Sequence, residues 1–252
     1  MNVPAGGGVY RRRIRVTAGD GEAGAEMEDD FHHFAVRLVH DGSRVTGIEG
    51  RAIRAPWTTC VEAIDLLHRL DDLALGTPAT EVNRLGGPTT GCTHLVDLAV
   101  LAFGAAGRRP AGSGPPSPVV EYDIGVTEPV DGPHLATLAL DGRPHLRWDL
   151  DGDRVLSPRP YRGLSLLEPG FGRWATETLA PADIEPATVL RRACQISRGR
   201  QRNLDDYATA ADLPPRSRCY SQQPSMASVA VRVRGASRDF STRPGDLLDR
   251  PD

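Results

Sequence analysis

Residues 32–54 read "HHFAVRLVHDGSRVTGIEGRAIR" and residues 55–75 continue as "APWTTCVEAIDLLHRLDDLAL". Between the two, the hydrophobic spacing changes. Phe34, Val36 and Leu38 alternate with their neighbours and so share one face of a strand; Asp41-Gly42 supplies the positive-φ turn of a hairpin. From Ala55 onward Val61, Ile64, Leu67 and Leu70 or Leu73 recur at helical intervals. Thr59-Cys60-Val61-Glu62 fits a capping box, which predicts Cys60 in the first helical turn.

After a loop rich in glycine and threonine, "TTGCTHLVDLAVLA", residues 89–102, opens a second helix. Leu95, Val96, Leu98, Ala99, Val100, Leu101 and Phe103 surround it with apolar groups, which predicts burial. "GAAGRRPAGSGPPSP", residues 104–118, breaks all periodicity. Beyond it come three meander strands, "VVEYDIGVT", "HLATLAL" and "PHLRWDL", with Asp141-Gly142 and Asp151-Gly152 as turns. "FGRWATETLA" reads as a helix. "IEPATVLRRACQISRG" is another, with Pro186 near its first turn and Gly199 as a stop. The expected fold is α+β: two small mixed units of antiparallel strands with packed helices around a shared cleft. By composition, residues 10–106 form the first unit, 107–118 a linker or long loop, 119–241 a meander with helices and 242–252 a mobile tail.

At 252 residues the chain is long enough for a substantial core, and 39% hydrophobic with 25% charged residues is ordinary for a globular protein. No apolar run has membrane-spanning length, and the N-terminal "MNVPAGGGVYRRRIRV" lacks the hydrophobic stretch of a signal peptide, so a cytoplasmic location and no membrane partner are expected. All 30 basic residues are arginine, which excludes any lysine Schiff base. A net charge of -3 provides no general attraction for nucleic acid. Cys60, Cys92, Cys194 and Cys219 are widely spread with no C-x-x-C pair, and read as reduced thiols. "DLDGDR" suggests calcium through Asp149, Asp151 and Asp153, but Arg154 stands where glycine is needed and Pro160 where an acid is needed. No glycine-rich stretch fits a P-loop or a dinucleotide fingerprint.

The candidate chemistry gathers at helix starts. Cys92 and His94 converge only if Cys92 lies at or before the cap, where the backbone is not yet helical. The unpaired N–H groups there favour a thiolate. Asp97, three residues after His94, shares its face and can orient the imidazole. Cys60 occupies the other helix start, with Arg51, Arg54 and Trp57 upstream to hold an anionic or aromatic substrate. Cys219 sits in the polar, irregular "PPRSRCYSQQPS", whereas Cys194 falls on the inner side of a helix. His32 and His40 bracket one strand face, and Asp29 and Asp30 are close enough in sequence for a carboxylate–imidazole pair. For each of these the bland alternative is ordinary packing or a solvated surface.

"DDFHHFAVRLVHDGSRVTGI", "RAPWTTCVEAIDLL", "CTHLVDLA", "LRRACQISRGR" and "RCYSQQP" together resemble an uncharacterised bacterial family known only as a domain of unknown function, over residues 10–240. The resemblance implies no activity, but it sets Cys60, Cys92, His94 and Cys219 inside the family's motifs. Residues 10–106 are also similar to the NifU/IscU type of iron–sulfur scaffold, where cysteines at such helix starts carry the cluster or persulfide. That similarity implies Cys60 and Cys92 as ligands. Here Cys-Thr-His replaces the scaffold's His-Cys order, and its first cysteine has no counterpart.

Three functions follow as expectations. The first is a cofactor-free or metal-assisted enzyme of isomerase, cyclase or lyase type acting on a small organic, anionic molecule. Cys92 is its nucleophile or acid–base group, His94 the proton partner, Asp97 the orienting carboxylate, Cys60 a second thiol and Arg54 the anion anchor. The second is a metal-binding accessory protein holding zinc or an iron–sulfur cluster through Cys60, Cys92, His94 and Cys219. The third is a non-catalytic assembly module. Oligomeric state is not legible.

Overall fold

The computed structural model describes residues 8–87, 90–108, 119–130, 132–214 and 219–249. Its strands are β1 (Val9–Ala18), β2 (Glu22–Asp29), β3 (His33–His40), β4 (Val45–Arg54), β5 (Val120–Thr127), β6 (His134–Leu140), β7 (Arg143–Asp151) and β8 (Arg154–Ser157). They follow the hydrogen-bonding order β4-β3-β2-β1-β5-β6-β7-β8. Four α-helices accompany them among the described residues: α1 (Ala79–Leu85), α2 (Thr93–Gly107), α3 (Phe171–Thr178) and α4 (Pro181–Ser197), with a 3-10 helix over Thr58–Leu70. The architecture is α+β.

Contacts divide the chain into two compact units. Unit 1 comprises Met1–Arg13, Glu121–Asn203 and Arg238–Asp252; unit 2 comprises Ile14–Val120 and Leu204–Ser237. Residues 204–237, which sequence places beyond the linker, therefore cluster with the first half of the chain. Most of that linker, residues 109–118, lies outside the described residues. Of the segment expected as a mobile tail, Leu247 and Leu248 are 1% and 7% exposed, because this apolar pair packs inward behind a 3-10 turn.

In unit 2 the hairpin strand β3 pairs with β2 so that Phe34, Val36 and Leu38 face Met27, Ala25 and Ala23 respectively. All six side chains are buried. Two alanines on β2 keep that face low, and α2 packs against both strands. The 3-10 helix crosses β4 closely: a Cβ on Gly50 would lie 2.9 Å from Leu67 Cδ1. Glycine at 50 is thus a packing requirement rather than a turn.

Two expectations need correction here. Residues 58–70 form a 3-10 helix in which Cys60, Ala63, Leu67 and Leu70 face inward, while Val61, expected in the apolar stripe, is 52% exposed. The expected capping box is absent. Thr59 Oγ1 donates to Ser221 Oγ at 2.9 Å, and Glu62 accepts from the Tyr220 hydroxyl at 3.3 Å. The segment 219–232 holds this helix start instead: Thr58 N–H donates to Val231 O, and Val231 N–H to Thr58 Oγ1.

In unit 1 the meander is as expected, with Asp141 and Gly142 both at positive φ in the β6–β7 turn. Ile124, Ala136, Leu138, Trp148 and Leu150 form its buried face, and α4 contacts β6 and β7. Helix α4 begins earlier than its sequence suggests. Pro181 takes the first turn, leaving Pro186 inside the helix.

Leu98 on α2 is 1% exposed. Leu98→Ala is expected to destabilise the protein by about 2–5 kcal/mol in urea denaturation. Val61→Ser is expected to change stability by no more than about 0.5 kcal/mol, as at any exposed position.

Candidate functional site

The β2–β3 connection is built around Asp29. Its Oδ1 accepts N–H bonds from Phe31 at 2.8 Å and His32 at 2.7 Å, the geometry of an Asx turn. The same oxygen lies 3.1 Å from His32 Nδ1, so the carboxylate–imidazole pair expected near Asp29 is present in this geometry. Asp29 and Asp30 are fully buried. Arg54, at the end of β4, reaches beneath the turn. Its Nη2 donates to Asp29 O at 2.5 Å, His32 O at 3.2 Å and Glu28 Oε1 at 3.1 Å, and its Nη1 donates to Ala236 O at 2.7 Å. The flat fork of arginine satisfies several carbonyls at once, which a lysine could not do in one plane.

Helix α2 brings His94 to this turn. The His94 ring centroid is 4.0 Å from that of His32 and 5.9 Å from that of Phe34. Asp29, His32 and His94 each offer a donor atom, and these atoms all lie within 4.8 Å of one another. Among the described residues this is the group of three with converging ligand atoms, and it contains none of the thiols.

Cys92 caps α2 with extended backbone, φ -83° and ψ 117°, and its Sγ lies 4.0 Å from His94 Nδ1. The two residues converge through a non-helical cap. The thiol does not acquire the expected thiolate character: burial pushes it up, the nearby Cys60 adds to the push, and the backbone N–H groups of Leu95 and His94 only partly offset it. Cys60 is pushed up to about 11, chiefly by burial, against a 3.4 Å contact with Ser221 Oγ that lowers it. Cys219 is half-buried, and its charge pushes both Cys60 and Cys92 further up. Cys194 is buried in unit 1 and pushed up to about 12 by burial.

The expected substrate-binding set is dispersed. Arg54 is 9% exposed and committed to the turn, Trp57 is 3% exposed beneath Arg232, and Arg51 is exposed on β4. Asp97 is half-buried, one turn beyond His94. The sequence named Asp29, His32 and His94 separately, yet nothing in it joined the turn to the helix start 62 residues later; the pairing of β2 and β3 under α2 does so.

Fold and site together define an α+β protein in which buried Asp29, half-buried His32 and buried His94 cluster beside the Cys92 thiol. Residues 14–106 match a family described as "Protein of unknown function (DUF2889)". The match includes Asp29, His32, Cys60, Cys92 and His94, and leaves Cys219 and residues 204–237 outside. Neither the curated proteins nor the solved structures provide a match. No helix among the described residues is long and apolar enough to cross a membrane.

Raised thiols make stability depend on alkaline pH. The fold favours neutral Cys60, so its contribution is fully present below the ordinary thiol value near 9 and is lost as pH rises toward about 11. The loss is about 2–3 kcal/mol for this one group. Urea midpoints measured from pH 8 to 11 are expected to fall, and to fall less steeply in Cys60→Ala. At pH 7.5 a disulfide thiol reagent is expected to label Cys219 first, and Cys60, Cys92 and Cys194 only after unfolding.

Proposed function

We propose that this protein binds a divalent transition metal, zinc above others, through Asp29, His32 and His94. The convergence of these three donor atoms supports the reading. Two imidazoles and a carboxylate suit zinc and iron(II). Zinc bonds of about 2.0–2.2 Å put tetrahedral ligands about 3.3–3.5 Å apart. The Asp29–His32 separation of 3.1 Å is close to that, and the 4.8 Å limit for the set leaves a short inward rotation for His94.

Three protein ligands leave one tetrahedral position for water or an outside donor, the pattern of metal sites that do chemistry rather than merely brace a fold. A metal-assisted reaction on a small organic molecule is therefore the second part of the proposal. The thiol chemistry expected from Cys92 receives no support from its burial, and Cys92 takes the role of a neighbour that narrows access to His94.

The deciding experiment is titration of metal-stripped full-length protein with zinc, read by calorimetry and elemental analysis. One equivalent is expected to bind. His94→Ala and His32→Ala are expected to weaken binding at least about 100-fold, the size seen when a ligand is removed and larger than for an outer neighbour. Cys92→Ala is expected to retain it. Both histidine substitutions leave the Asp29 turn intact at its backbone N–H groups, so folding can be checked separately by circular dichroism. Wild-type protein that takes up no zinc, cobalt or iron(II), or a folded His94→Ala that binds as wild type, would overturn the proposal.

A further inference from the structure

Unit 1 carries a second polar arrangement, unrelated to the cluster in unit 2. In the β5–β6–β7 ladder Gly125 stands opposite Thr137, and Thr137 opposite Arg147. Arg11 of β1 extends this row. A Cβ built on Gly125 would lie 3.0 Å from Arg11 Nη1 and 3.3 Å from Thr137 Oγ1. The guanidinium of Arg11 thus lies over the glycine, beside the threonine hydroxyl, so close that a Cβ at 125 would press it aside by a few tenths of an ångström. The neighbouring positions on these strands, Ile124, Val126, Ala136, Leu138 and Trp148, are buried on the opposite face. The row Arg11–Gly125–Thr137–Arg147 therefore floors a separate groove.

That groove has a volume of about 570 Å³, and Leu247 and Pro244 of the C-terminal segment contribute to its wall. Such a volume falls in the ordinary range for small-molecule sites. Its cations differ in what they already hold. Arg13 is engaged by Asp123 at 2.7 Å and by Glu121 at 3.4 Å, and donates to Leu247 O. Among the described residues Arg147 makes a loose 3.5 Å pair with Asp149, and its side chain is 70% exposed. Arg11 Nε is buried without a hydrogen-bond acceptor among the described residues. A buried donor left in that state carries a standing cost that a bound acceptor removes.

We propose that this groove binds a small molecule bearing a phosphate monoester, with the phosphoryl group between Arg11 and Arg147 over Gly125 and Thr137. Two guanidinium forks and one hydroxyl present donors from three directions. That suits the three terminal oxygens of a phosphoryl group better than the two of a carboxylate. The surrounding acids set the size of the ligand's charge. Glu121, Asp123 and Asp149 flank the row, so positive potential is confined to one phosphoryl group, and a polyanion laid along the face would meet repulsion on either side. Glycine at 125 is the specificity device, since it lets the Arg11 guanidinium come close over the strand.

The test is calorimetric titration of the full chain with inorganic phosphate, glycerol phosphate, ribose 5-phosphate and a nucleoside monophosphate, with ribose as the uncharged control. At least one monoester is expected to bind saturably and more tightly than inorganic phosphate, and ribose is expected not to bind. Arg11→Gln and Arg147→Gln are each expected to weaken the monoester by about tenfold or more, as loss of one charge-assisted partner does. Gly125→Ala is expected to weaken it by displacing Arg11. Arg143→Gln, exposed on the same strand as Arg147 and outside the groove, is the control and is expected to bind as wild type. Both glutamine variants keep long polar side chains at partly open positions, and unchanged urea midpoints would separate lost binding from lost folding. No saturable binding up to about 10 mM, weaker than any useful site, would overturn the proposal. So would unchanged binding in both glutamine variants, or monoesters that bind no better than inorganic phosphate.

Discussion

Helix α2 has almost no side that it can give to water. Thr93, His94, Leu95, Val96, Leu98, Ala99, Leu101, Ala102, Phe103, Ala105 and Ala106 are all buried. A helix apolar around its whole circumference must be wrapped, and the rest of unit 2 follows from that demand. Strands β2 and β3 supply a floor of Ala23, Ala25, Met27, Phe34, Val36 and Leu38, α1 and the 3-10 helix contact α2 itself, and residues 204–237 hold the 3-10 helix in place. The burial of apolar area outweighs the cost of carrying polar groups inward with it. His94 is buried because it rides in the first turn of a helix that has nowhere else to go.

Around the β2–β3 turn the polar groups that come inward have fixed partners. Arg54 joins carbonyls from the turn, from Asp30 and from Ala236, as well as the Glu28 carboxylate. Removing that guanidinium would strand several acceptors in a low-dielectric interior, where each is costly. The same interior sets the chemistry of the thiols. A helix start lowers a thiol's pKa when the thiol remains wet; Cys92 is dry, and desolvation is the larger effect. Position in a helix and exposure to solvent are separate variables, and spacing along the chain reports only the first.

That distinction separates what was legible in the sequence from what was not. The alternation of Phe34, Val36 and Leu38, the Asp41-Gly42 turn, the all-apolar helix after Cys92 and the three-strand meander are local patterns, and each is present as read. The condition for Cys92 to meet His94, a backbone not yet helical at Cys92, could be stated from spacing alone, and Cys92 has that extended backbone. What a local pattern cannot carry is a partner far along the chain. Ser221 and Tyr220 take the places that a capping box would have filled at Thr59 and Glu62. Carbonyls of the β2–β3 turn take up the arginine that looked available for substrate. The Asp29–His32–His94 cluster depends on strand register and on the seat of α2, neither of which is written in residue spacing.

Unit 2 is completed by residues 204–237 and unit 1 by residues 238–252, with unit 1 also drawing on the first thirteen. As the chain leaves the ribosome, unit 2 lacks a part until residues 204–237 have emerged, and unit 1 lacks one until residues 238–252 follow. The segment that matches the family, residues 14–106, would be cut free of Ser221, Val231 and Ala236, the partners of Cys60, Thr58 and Arg54. Units interlaced in this way close long loops before they gain long-range contacts, which slows folding and exposes partly formed cores during synthesis. For this protein the stretch that matches the family model and the compact units of the fold have different ends.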